Sequence, residues 1–114
     1  MQAIYYPGLH THPGHTVAKR QMQFIGPVLS FVLKDKAVAE TFLQSAALVT
    51  EATSFGGIST TAERRARWGG DAVPEGFVRM SAGCEAAEDL IEDIGQALDS
   101  LTRAIDSLPT AAVR

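Results

Sequence analysis

A chain of 114 residues fits one domain, and 10 basic against 13 acidic side chains leave a net charge of −3, which speaks against a nucleic-acid-binding module and its basic excess. A hydrophobic fraction of 46% with 20% charged residues excludes a disordered or low-complexity chain. No apolar run approaches the ~20 residues of a membrane-spanning helix; the N-terminus lacks a signal-peptide pattern, and the single cysteine, Cys84, makes no internal disulfide, which together suit a cytoplasmic protein.

In chain order, "AIYY" (residues 3–6) reads as a short strand closed by the Pro7-Gly8 turn signal. Thr11 or His12 is expected to cap a helix that begins at Pro13 and carries "GHTVAKRQM". Gly26-Pro27 then breaks the chain before a strand, "VLSFVL", at residues 28–33. Asp35 caps the next helix, where Val38, Ala39, Phe42, Leu43 and Ala46 recur as one apolar stripe. "ALVTEA" has the character of a short strand. Residues 54–76, rich in Gly, Ser and Thr, read as a long surface segment in which "ERRARW" makes a helical turn. "FVRMS" (residues 77–81) is the next strand. The last helix places Ala87, Leu90, Ile91, Ile94, Leu98, Leu101 and Ile105 on one face, with Glu88, Asp89, Glu92, Asp93 and Asp99 mainly elsewhere. The order β-α-β-α-β-β-α predicts one α/β (α+β) unit over residues 1–114: a small, mostly antiparallel sheet with helices layered on one face, the other face being left for a partner.

Several residue clusters invite chemistry. His10, His12 and His15 lie close enough in sequence to suggest a metal, but Pro13 and Gly14 turn the chain between them and spread the rings, so helix-entry structure is expected and no metal site. Cys84 precedes a helix and is read as a capping-region cysteine. Arg64, Arg65, Arg67 and Trp68 read as a solvated face or an intersubunit contact. Arg79 is the odd residue of an otherwise apolar strand. Beside it, "TSFGG" offers the Ser54 hydroxyl and the N–H groups of Gly56 and Gly57, which together with a guanidinium fork would suit a carboxylate. From the residues alone, an Arg79 paired with one of the chain's own acids is an equally good reading.

Four stretches in order, "YYPGLHTHPGHTVAKRQM", "GPVLSFVLKDKAVAETFL", "TSFGG" and "GFVRMSAGCEAAEDLIEDIGQAL", resemble the C-terminal domain of the cysteine and methionine metabolism family of pyridoxal-phosphate enzymes, which includes cystathionine γ-lyase, cystathionine β-lyase, cystathionine γ-synthase and methionine γ-lyase. The resemblance covers about residues 4–105. It implies a fold-type I small domain in which Arg79 clamps the substrate's α-carboxylate and Ser54 lines the same pocket, orienting the Cα bond for the cofactor's chemistry. Thr53 stands where many members carry an acid, and Phe55 where leucine is usual. The resemblance also implies that pyridoxal phosphate is held by a lysine of a large N-terminal domain. Lys19, Lys34 and Lys36 are the only lysines here and none lies in such a motif, so this chain is expected to bind no cofactor covalently and to turn over no substrate unaided. Its expected partners are an amino-acid carboxylate and either the large cofactor domain or further copies of itself, meeting at a patch that includes Trp68 and Phe77.

Overall fold

The computed structural model describes residues 1–70 and 72–107. Five strands form one sheet: β1 (Ala3–Tyr5), β2 (Val28–Val32), β3 (Thr50–Glu51), β4 (Thr61–Arg64) and β5 (Phe77–Ser81), in the spatial order β1-β2-β5-β4-β3. Only the β3–β4 pairing is parallel; the other three are antiparallel. The helices are α1 (His15–Gln21), α2 (Lys36–Ser45) and α3 (Ala87–Ser107), and a 3₁₀ turn, Arg65–Trp68, follows β4. The expected α/β class and mostly antiparallel sheet are therefore found.

Alternation along the strands sorts the side chains into two faces. The register aligns Leu29 and Ala62 with Met80, and Phe31 and Arg64 with Val78. These residues share the face covered by α2 and α3. There Phe31 meets Phe42 edge-on, with ring centroids 5.4 Å apart, and Leu33, Ala39, Leu43, Ala46, Val49, Ala97 and Leu101 complete the core. Asp35 does cap α2, accepting a 2.9 Å bond from the Val38 N–H, which satisfies one of the donors a helix start leaves open.

Four expectations need correction. First, α1 begins at His15 rather than Pro13, after an N-cap Gly14 with no side-chain cap, because the His12 Nδ1 takes the Gly14 N–H and holds the chain in a turn. α1 buries none of its residues, so the helix layer consists of α2 and α3. Second, the supposed surface segment contains β4, a strand flanked on both sides, and its Arg64 is buried against Glu75 (2.7 Å) and Glu40 (3.6 Å) on the helix side of the sheet. Third, Ile91 is 72% exposed, and the Ile105 side chain lies outside the described residues. Fourth, Asp93 is buried: its two oxygens accept the Ala47 and Leu48 N–H groups at 2.8 Å, joining α3 to the end of α2. The carboxyl of Asp93 is held below its ordinary range. Burial opposes ionisation there, but the Leu48 and Ala47 N–H bonds and the Gln96 amide outweigh it.

At the start of α3 the backbone comes very close to the strand layer. A Cβ on Gly83 would stand 2.4 Å from the Ile58 carbonyl oxygen, so only glycine fits. Glu85 fastens the same corner, accepting from the Thr60 N–H (2.9 Å) and hydroxyl (2.7 Å). Its carboxyl is held below the ordinary range by those same bonds.

Candidate functional site

Among the described residues no helix packs over the second face of the sheet. It carries Tyr5, Ser30, Thr61, Glu63, Phe77, Arg79 and Ser81, since Tyr5 and Arg79 both align with Ser30, and Glu63 aligns with Arg79. The pleat thus answers why an arginine sits in an apolar strand: its neighbours Val78 and Met80 point into the core, while Arg79 points to the open side.

Of the two readings the sequence leaves open, the pairing of Arg79 with one of the chain's own acids is found, and the same guanidinium touches the loop that carries Ser54. Its Nη2 donates to the Glu63 Oε1 at 2.8 Å and to the Thr53 carbonyl oxygen at 2.5 Å. The guanidinium also lies over the Phe55 ring, 4.9 Å from its centroid, a cation–π contact that fixes the plane of the fork. An arginine has five N–H donors. The two contacts engage Nη2 alone, and among the described residues the Nε and Nη1 donors have no hydrogen-bond partner.

The loop beside Arg79 is pinned by its backbone. Gly56 adopts a φ of +81°, a left-handed conformation that favours glycine, and its N–H donates to the Ser81 Oγ at 2.8 Å. The Ser54 carbonyl accepts the Thr61 hydroxyl at 2.7 Å. Of the two residues marked in the sequence, Arg79 is thus adjacent to the loop that carries Ser54, through Thr53 and Phe55 on either side of that serine. No hydrogen bond joins the exposed Ser54 hydroxyl to Arg79 among the described residues.

Glu63 is the residue that sequence reasoning missed. It is only 1% exposed, yet its carboxylate receives Arg65 Nη1 at 2.5 Å and Arg79 Nη2 at 2.8 Å on Oε1, and Trp68 Nε1 at 2.9 Å on Oε2. Burial acts to raise its pKa, but the Trp68 and Arg65 bonds and the charges of Arg65 and Arg79 prevail, leaving the carboxyl below its ordinary range and ionised at neutral pH. The one available signal was the alternation in "TAER", which puts Glu63 and Arg64 on opposite faces.

The basic cluster divides accordingly. Arg65 serves Glu63; Arg67 pairs with Glu51 at 3.1 Å and lies over the Trp68 ring. Trp68 is 54% exposed, and Phe77 meets Tyr5 on the open face with ring centroids 6.1 Å apart. His10 and His15 are ring neighbours at 4.6 Å, but His15 Nδ1 is bonded to the Pro7 carbonyl. Among the described residues no three His, Cys, Asp or Glu side chains converge as a metal set. Cys84 is exposed. No helix among the described residues is long and apolar enough to cross a membrane.

The sequence profile of the "Cys/Met metabolism PLP-dependent enzyme" family matches residues 1–99. A provisionally named cystathionine γ-lyase of Streptomyces coelicolor is 56% identical over 99 residues, which is 87% of this chain and 25% of that protein. The cystathionine β-lyase of Lactococcus lactis subsp. cremoris is 38% identical over 106 residues, covering 84% of this chain and 28% of its own. Among solved structures, cystathionine γ-synthase from Xanthomonas oryzae pv. oryzae in complex with cystathionine superposes with a TM-score of 0.81 at 33% identity, over 94% of this chain and 30% of that one. The chain thus spans about a quarter of the length of the curated relatives it matches. From its fold and from the near-complete match of its sequence, the chain belongs to the Cys/Met metabolism family of pyridoxal-phosphate-dependent enzymes.

Proposed function

We propose that this chain is the substrate-carboxylate-binding C-terminal domain of a pyridoxal-phosphate-dependent lyase or transferase of sulfur amino acid metabolism, of the cystathionine γ-lyase type, and that Arg79 and Ser54 are its binding residues. The observation that carries this reading is the state of Arg79: one nitrogen is anchored to the protein, the ring of Phe55 fixes the plane, and the remaining donors are left for an anion on the open face. A planar cation held in this way is suited to a carboxylate, and fixing that group orients the rest of an amino acid for reaction. Ser54, on the exposed loop between the two residues that touch the guanidinium, adds a hydroxyl donor to the same rim.

In this reading the seat for pyridoxal phosphate lies on another domain. Lys19 lies in α1 and Lys34 and Lys36 flank the α2 cap, none of them in the loop or the strands that hold Arg79. The chain's part in the reaction is to bind and orient, and the group that forms an imine comes from elsewhere. The exposed Tyr5, Phe55 and Trp68 around the site favour burial of this face by a partner. A cofactor-bearing domain is the first choice and a second copy of the chain, in an assembly module, is the alternative.

Titration of the chain with L-cystathionine, followed by the Arg79 Nε–H resonance and by calorimetry, tests the assignment. Saturable binding that is abolished in Arg79→Ala is expected; unchanged affinity in that variant overturns the role of Arg79. A concentration-dependent dimer without an imine absorption band on adding pyridoxal phosphate would favour the assembly module.

A further inference from the structure

We infer that Glu63 is the positioning residue for Arg79, a buried carboxylate that fixes where the guanidinium stands and thereby where a substrate carboxylate is received. The inference rests on the reading of Arg79 as a carboxylate ligand and adds a residue to it.

Glu63 and Arg79 are directly paired across β4 and β5 on the open face. A long side chain on such a face normally samples several rotamers, and ordering it costs entropy. Here one end of the guanidinium is tied to an acceptor that is itself immobile. Glu63 is 1% exposed, and its position is over-determined by Arg65 and Trp68, both from the 3₁₀ turn that follows its own strand. Arg79 inherits that order through a charge-assisted bond to Oε1, and the Thr53 carbonyl and Phe55 ring complete the hold from the loop side. The division of labour is geometric. Glu63 bonds Nη2 and leaves Nε and Nη1 without a partner among the described residues, so it orients the arginine without taking up the donors a ligand needs.

Electrostatics alone predicts the opposite outcome for a mutant. A negative charge 2.8 Å from the cation weakens its attraction for an anion, so deleting that charge should tighten carboxylate binding if Glu63 were merely a counter-ion. If Glu63 positions Arg79, deletion should weaken binding instead. Glu63→Gln is nearly isosteric, but it removes the charge that strengthens the bond to Arg79, and its NH₂ must confront either Trp68 or the two arginines, so the hold on the guanidinium is at best that of a neutral amide in a disrupted cluster.

The experiment measures L-cystathionine affinity of the full chain as wild type, Glu63→Gln and Arg79→Ala, together with ¹⁵N relaxation of the Arg79 Nε–H. In the wild type this group is expected to be as ordered as the strand backbone, in contrast to the exposed Arg20. In Glu63→Gln it becomes mobile and affinity falls at least about tenfold. Affinity that is unchanged or tighter in Glu63→Gln overturns the inference. So does an Arg79 Nε–H in the wild type as mobile as that of Arg20, a measurement that needs no variant to fold. If Arg79→Ala binds like the wild type, it is the carboxylate reading that fails. Arg79 order in Glu63→Gln then still decides whether Glu63 fixes that side chain.

Discussion

The two faces of the sheet are built from the same strands and do different work. On the covered face, Phe31, Val78, Met80 and Ala62 pack against α2 and α3, and Arg64, the one buried cation among the described residues, is neutralised by acids from α2 and a loop. On the open face, charged and aromatic groups converge on Glu63 and Arg79, and donors are left uncommitted. Stability should therefore be concentrated on one side and ligand chemistry on the other, which makes the contrast measurable.

The largest expected effect is on the covered side. Phe42 is fully buried, and Phe42→Ala should cost about 3–5 kcal/mol by removing apolar area and leaving a cavity, read as a lower urea midpoint; a loss below about 1 kcal/mol would mean that the core is not organised as described. Next comes the α2–α3 junction. Asp93→Ala leaves two backbone N–H groups without their acceptor and should cost about 1–3 kcal/mol. The same carboxylate gives the chain an acid limit. Because the folded pKa of Asp93 lies below its unfolded value, its stabilisation is complete above about pH 4 and is lost as pH falls through the lower folded value. Glu63 and Glu85 are shifted in the same direction and steepen the slope. Urea titrations at pH 7 and pH 3 should differ more in the wild type than in Asp93→Asn. The smallest stability effect is expected on the open face. Arg79→Ala should cost no more than about 1 kcal/mol, since Glu63 keeps Arg65 and Trp68 as partners. A large loss there would erase the distinction between the faces.

What the sequence made legible was local. The Asp35 cap and the α2 stripe announce themselves within one turn of helix, and Arg79 stands out against its apolar neighbours, because each signal lies in adjacent residues. β4 was hidden since its four residues include two opposite charges, and their partners, Arg79 and Glu75, lie 16 and 11 positions away. The periodicity of α3 puts Asp93 off the apolar face but does not show what it bonds, because the groups it caps are 46 and 45 positions away. The loop near Ser54 was visible through its glycines, whereas the contact made by the Thr53 carbonyl was not, because every residue has one.

That carbonyl has a bearing on how such a pocket can change. An acceptor that belongs to the main chain survives any exchange of side chain at residue 53 that keeps the loop's path, so the grip on Arg79 and the character of the group projecting beside it are separable. On the proposed reading of Arg79, the placement of its guanidinium is thus independent of which side chain residue 53 carries.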